Sequence, residues 1–90
     1  MLEETVRVIN PLGLHARAAG QLVKIAGKFR SRIMVKRQDG SAEADAKSML
    51  GVLTLAASIN TTLILCTDGA DEAAAMAAVK QIFESGFGEI

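Results

Sequence analysis

Apolar and polar residues alternate over residues 4–9, with Val6 and Val8 on one side and Thr5 and Arg7 on the other, which predicts a half-buried strand. The turn residues Asn10-Pro11-Leu12-Gly13 break it. The period then changes. Ala19, Leu22, Val23 and Ala26 recur at helical spacing, so residues 15–28 read as an amphipathic helix. Residues 32–37 read as a strand, Asp39-Gly40 as a tight turn, and 41–45 as a short partner strand. Ser48 opens a second, shorter helix through about residue 57, weakened by Gly51. Residues 60–67 have strong β propensity and end at Asp68-Gly69. Residues 70–85 form the clearest helix, with Met76, Val79, Ile82 and Phe83 as its buried stripe, and the remaining GFGEI is expected to be loose. The order β-α-β-β-α-β-α predicts an α+β fold: one four-stranded sheet with helices on one face.

Composition narrows the function. Ninety residues make one domain, 1–90, and at this size only ~63% of the unfolded surface is buried. Such a core spares no volume for an enclosed active site, so chemistry is expected on the surface. Ten Lys+Arg balance ten Asp+Glu, which argues against a nucleic-acid partner. The absence of Trp and Tyr argues against base-stacking platforms. One Cys and one His cannot supply the usual structural zinc ligand sets. The lone Cys66 fits a reducing compartment, and neither a signal peptide nor a membrane-spanning run is present, so a cytoplasmic, non-inserted protein is expected.

The one histidine, His15, stands where the first helix begins, in place of the usual Ser, Thr, Asp or Asn cap. The free N–H groups of a first helical turn favour an anion. Arg17, in the same turn, opposes the helix dipole unless it too serves an anion. One imidazole nucleophile, backbone donors and one guanidinium suit a phosphoryl group held on a ring nitrogen. A surface histidine beside a surface arginine is the alternative, and spacing leaves both open. A Ser-His-Asp hydrolase fits less well, since there is no nucleophile-elbow pattern. Ser48 reads either as a plain cap or as a phosphorylation site. Met49, Leu50 and Leu53 give the second helix more apolar positions than one buried face needs, so some are candidates for a partner patch. Cys66 reads as packing rather than as a reactive thiol.

Gly13-Leu14-His15-Ala16-Arg17 resembles the active-site segment of the HPr family, the histidine-containing phosphocarriers of the bacterial phosphoenolpyruvate-dependent phosphotransferase system. Lys47-Ser48-Met49-Leu50-Gly51-Val52-Leu53 resembles that family's regulatory-serine segment. The resemblance implies an open-faced β-sandwich, with sheet order 1-4-2-3 covered by three helices. It implies that His15 takes phosphate on Nδ1 from enzyme I and passes it to an enzyme IIA. Arg17 would steady that phosphate, with the backbone N–H groups of Ala16 and Ala18. Ser48 would be the target of HPr kinase/phosphorylase. Met49, Leu50, Leu53, Gly20 and Lys24 would bind partners. A monomeric phosphocarrier is implied, not an enzyme in its own right, with no cofactor and no metal. Two departures stand out. Ala18 occupies a position where the family commonly has Pro. Leu12 and the tail Ser85-Gly86-Phe87-Gly88-Glu89 are more similar to the nitrogen-related branch, NPr, whereas Lys47-Ser48 is of the kinase-regulated type. A nitrogen-type regulatory phosphorelay, or an interaction module regulated only through Ser48, are the alternatives.

Overall fold

The computed structural model describes residues 1–90. Strands β1 (Leu2–Arg7), β2 (Arg32–Arg37), β3 (Glu43–Asp45) and β4 (Thr62–Asp68) form one antiparallel sheet in the order β1-β4-β2-β3. Helices α1 (Ala16–Ala26), α2 (Met49–Thr54) and α3 (Glu72–Glu84) cover one face. The result is the α+β open-faced sandwich expected. The pleat explains which face is covered. Val6, Val35, Leu63 and Leu65 occupy paired register positions and all are buried, as are Val8 and Ile33. Ala18, Ala19 and Ala26 of α1 and Ala75 of α3 are also buried; α1 packs on α2 and α3, and α3 packs on β1 and β4.

The element edges move by one to three residues for local reasons. Helix α1 starts at Ala16 because His15 is extended, with φ −72° and ψ 177°, and caps it. Helix α2 stops at Thr54, and Ala56 with φ 48° turns the chain away. Helix α3 starts at Glu72 because the Asp71 carboxylate serves another segment, accepting from the Arg30 N–H, the Ser31 N–H and the Ser31 hydroxyl. Two side chains lie at the edges of the helical stripes, packed against the core but less covered than the rest. Val23 and Ile82 are only half-buried, and Ala18 takes the inward place on α1.

The Asp71 contacts tie the α1–β2 connection to the start of α3 and hold its carboxyl down at about 2, through the Ser31 hydroxyl first and then the Arg30 and Ser31 amides. A carboxyl lowered on folding stabilises above its unfolded value of 3.8, and that contribution is lost as pH falls towards about 2. Asp71→Asn is therefore expected to lower Tm at neutral pH and to flatten the dependence of Tm on pH between those values. Thermal melts across that range check it.

The tail is not loose. Gly86–Gly88 forms a single 3₁₀ turn in which Phe87 is buried against Phe83, edge to face, with ring centroids 5.0 Å apart. Gly86, at φ 62°, lets the chain reverse after α3. Phe87 itself is held at φ 54°, a conformation a non-glycine residue keeps only when burial outweighs it. Phe87→Ala is expected to cost about 3 kcal/mol and to free the tail, visible as a lower Tm and as loss of amide protection after Ser85.

Candidate functional site

The site is built at the start of α1. Gly13 adopts φ +65°, and a Cβ there would stand 2.4 Å from the Ala57 carbonyl oxygen, so only glycine fits. The Leu14 N–H donates to that same oxygen at 2.9 Å, and the Leu14 side chain is buried. The loop is thereby clamped to the segment after α2, and the clamp delivers His15 to the cap position. His15 Nδ1 accepts from the Arg17 N–H at 3.3 Å, the bond an Asn or Ser cap would normally make. The Ala16 and Ala18 N–H groups have no backbone partner.

His15 keeps 24% of its side chain exposed, and Arg17 67%. Opposite them lies Glu89. Its Oε2 pairs with His15 Nε2 and lies 3.8 Å from Arg17 Nη2. Its Oε1 accepts from Asn10 Nδ2 at 3.2 Å, and that nitrogen also donates to the Gly13 carbonyl at 2.8 Å. The hydrogen bond to His15, then that from Asn10 and the charge of Arg17, hold the Glu89 carboxyl below the usual range. Beside this cluster a shallow groove of about 470 Å³ runs between Leu12, Arg17, Gln21 and Phe87. The arrangement presents a partly exposed imidazole, amides without backbone partners and an exposed guanidinium to an incoming anion.

Ser48 is exposed at the start of α2, and its Oγ accepts from the Gly51 N–H at 3.1 Å. Gly51 has a reason to be there, since a Cβ would stand 3.1 Å from Ser48 Oγ. Leu50 is 78% exposed, and Met49 and Leu53 are each more than a third exposed. Lys24 is exposed on α1, and Gly20 opens onto free space. The far end of α2 abuts the His15 loop through Ala57, and α1 packs on α2. The His15 cluster and the apolar patch thus share the α1–α2 side of the molecule. Cys66 is buried, donates to Glu3, and has its thiol pushed up by burial, an environment of packing rather than reactivity.

Sequence reasoning missed Asn10, Phe87 and Glu89. The one available signal was an aromatic residue set between two glycines, since a truly loose tail has no use for a buried ring. That Glu89 would meet His15, 74 positions away, had no local signature.

The profile described as "PTS HPr component phosphorylation site" matches residues 2–85. The chain belongs to the HPr family. It is 45% identical over 89 residues to the phosphocarrier protein HPr of Cupriavidus necator, covering 99% of this chain and 98% of that one. The Treponema pallidum phosphocarrier protein HPr is 40% identical over 89 residues, 99% of each chain. Among solved structures, HPr-C-His from Thermoanaerobacter tengcongensis superposes with a TM-score of 0.93 at 38% identity, covering 100% of this chain and 99% of that one. HPr from Bacillus anthracis str. Ames gives 0.85 at 29%, covering 91% and 95%. Family membership carries the general role of a phosphocarrier in the phosphotransferase system, working with that system's phosphotransfer proteins rather than as an enzyme. No helix is long and apolar enough to cross a membrane.

Proposed function

We propose that His15 accepts a phosphoryl group on Nδ1 from enzyme I and passes it to an enzyme IIA. The observation that carries this reading is the His15 cap: Nδ1 is turned towards the first-turn amides of α1, on an exposed edge of the ring. In the transfer, the Nδ1 lone pair forms a new N–P bond while the donor's own N–P bond breaks in line with it. The Arg17 N–H then turns from Nδ1 to a phosphoryl oxygen, and the Ala16 and Ala18 N–H groups are free to do the same. The Arg17 side chain moves from Glu89 to the new charge. A carrier needs no cleft, because each partner supplies the other half of the site. Ser48 is a regulatory phosphorylation site for HPr kinase/phosphorylase, and Met49, Leu50, Leu53, Gly20 and Lys24 form the docking face. The protein acts as a single-domain monomer in the cytoplasm.

A nitrogen-type phosphorelay is a second reading, favoured by the exposed Leu12 and by the tail that closes on the site. Incubation with phosphoenolpyruvate and either a sugar-type or a nitrogen-type enzyme I, followed by mass mapping, tests both. Label on His15 from the sugar-type enzyme alone rules out the second reading. Label on His15 from neither rules out the carrier assignment.

A further inference from the structure

The imidazole of His15 has two nitrogens, and the structure treats them differently. A neutral ring carries its proton on one nitrogen and a lone pair on the other, and hydrogen-bond partners decide which. A carboxylate only accepts, so Nε2, which faces Glu89 Oε2, must be the N–H. A backbone N–H only donates, so Nδ1, which faces the Arg17 N–H at 3.3 Å, must carry the lone pair. Two contacts, one from two residues along the chain and one from 74 positions away, impose the same tautomer. We propose that Glu89 is a positioning residue: seated over Nε2, it keeps the ring proton there and bars phosphoryl transfer at that nitrogen, leaving Nδ1 as the reactive one.

Three observations show that the carboxylate is held in place. Its side chain is only 11% exposed, whereas that of Arg17 is 67% exposed. Asn10 Nδ2 grips the other oxygen, and Asn10 is itself wholly buried and anchored to the Gly13 carbonyl. The buried Phe87 ring fixes the backbone two residues before Glu89. The same contact serves the transferred state. When Nδ1 bonds to phosphorus while Nε2 keeps its proton, the ring becomes positively charged, and a fixed carboxylate at Nε2 stabilises that charge. On onward transfer the N–P bond breaks and the ring leaves as neutral imidazole, the proton still on Nε2. The logic parallels the buried carboxylate of a serine-protease triad, which holds a histidine in one tautomer and stabilises its cation. Here the histidine itself is the nucleophile.

This inference rests on the carrier reading for its purpose, but its test does not need enzyme I. Phosphoramidate phosphorylates imidazole directly: the ring lone pair attacks phosphorus, the P–N bond of the reagent breaks, and ammonia leaves. Nitrogen-15 spectra of the neutral ring locate its proton, and phosphorus-31 spectra distinguish the Nδ1 from the Nε2 product. The intact chain is expected to carry its proton on Nε2 and to yield the Nδ1 product alone. In Glu89→Ala the Nε2 product appears, and the rate at Nδ1 falls about tenfold. Glu89→Gln keeps the shape of the side chain but has an NH₂ that can donate to Nε2. It is expected to move ring protons towards Nδ1 and to slow the reaction while the Phe83–Phe87 ring signals stay unchanged. A wild-type ring protonated on Nδ1 overturns the proposal. So does a Glu89→Gln protein with wild-type tautomer and rate. A wild type that refuses label from enzyme I yet behaves as stated with phosphoramidate defeats the carrier reading and leaves this one standing.

Discussion

Replacing His15 by alanine is expected to abolish phosphoryl uptake from enzyme I altogether, while the fold survives. The chain has no second histidine, and the nearby Asn10, Arg17 and Gln21 are not nucleophiles at neutral pH. Removing the ring also removes the Nδ1 cap bond to Arg17, a loss of about 1 kcal/mol for a capping interaction. It leaves the Gly13–Leu14 clamp on Ala57 untouched, so α1 still begins where it does. Arg17→Ala separates chemistry from positioning. Its backbone N–H remains, but the guanidinium that would follow the charge is gone, and uptake is expected to slow by about 10- to 100-fold without vanishing. Single-turnover labelling with phosphoenolpyruvate and catalytic enzyme I measures both. Stoichiometric labelling of His15→Ala would show that the phosphoryl group is carried elsewhere.

Ser48→Asp is expected to cut the same transfer by about 30-fold or more, because it sets a charge at the edge of the apolar docking face. Leu50 stands largely exposed two residues after Ser48, with Met49 and Leu53 partly exposed alongside. A partner that covers these side chains must desolvate the new carboxylate, at a cost of about 2 kcal/mol or more. Stability should hardly change, because aspartate is as good a cap as serine and can accept from the Gly51 N–H. Ser48→Ala gives the opposite pattern, losing about 1 kcal/mol of cap stability while transferring normally. Stopped-flow or quench-flow transfer rates, beside melting curves for each variant, resolve the two. Equal rates for Ser48→Asp and the parent would mean that docking does not cover Ser48.

The periodicities proved reliable wherever burial and local geometry agree. Alternation at Val6 and Val8 marked the covered face of β1, and the spacing of Ala19, Leu22 and Ala26 marked the covered face of α1. His15 was legible because a histidine is an unusual choice at a helix cap, and Ser48 because it is a usual one. Val23 and Ile82 pack against the core but stay half-buried, because hydropathy places a residue on a face but cannot say how wide the partner surface is. The start of α3 lies two residues later than periodicity places it, because no local pattern shows that the Asp71 carboxylate serves the Arg30–Ser31 turn.

The sequence by itself determined the element order, the sheet-and-helix architecture, the cap histidine with its arginine, and the exposed serine with its leucine-rich neighbours. Each follows from interactions within a few residues, or from a periodicity that depends on one face only. The tertiary structure alone decided what faces the second nitrogen of His15. That required Gly86 to reverse the chain, Phe87 to bury its ring on Phe83, and Asn10 to hold Glu89 from across the fold. None of these contacts carries a periodic signal, because each joins residues that only the closed core brings together.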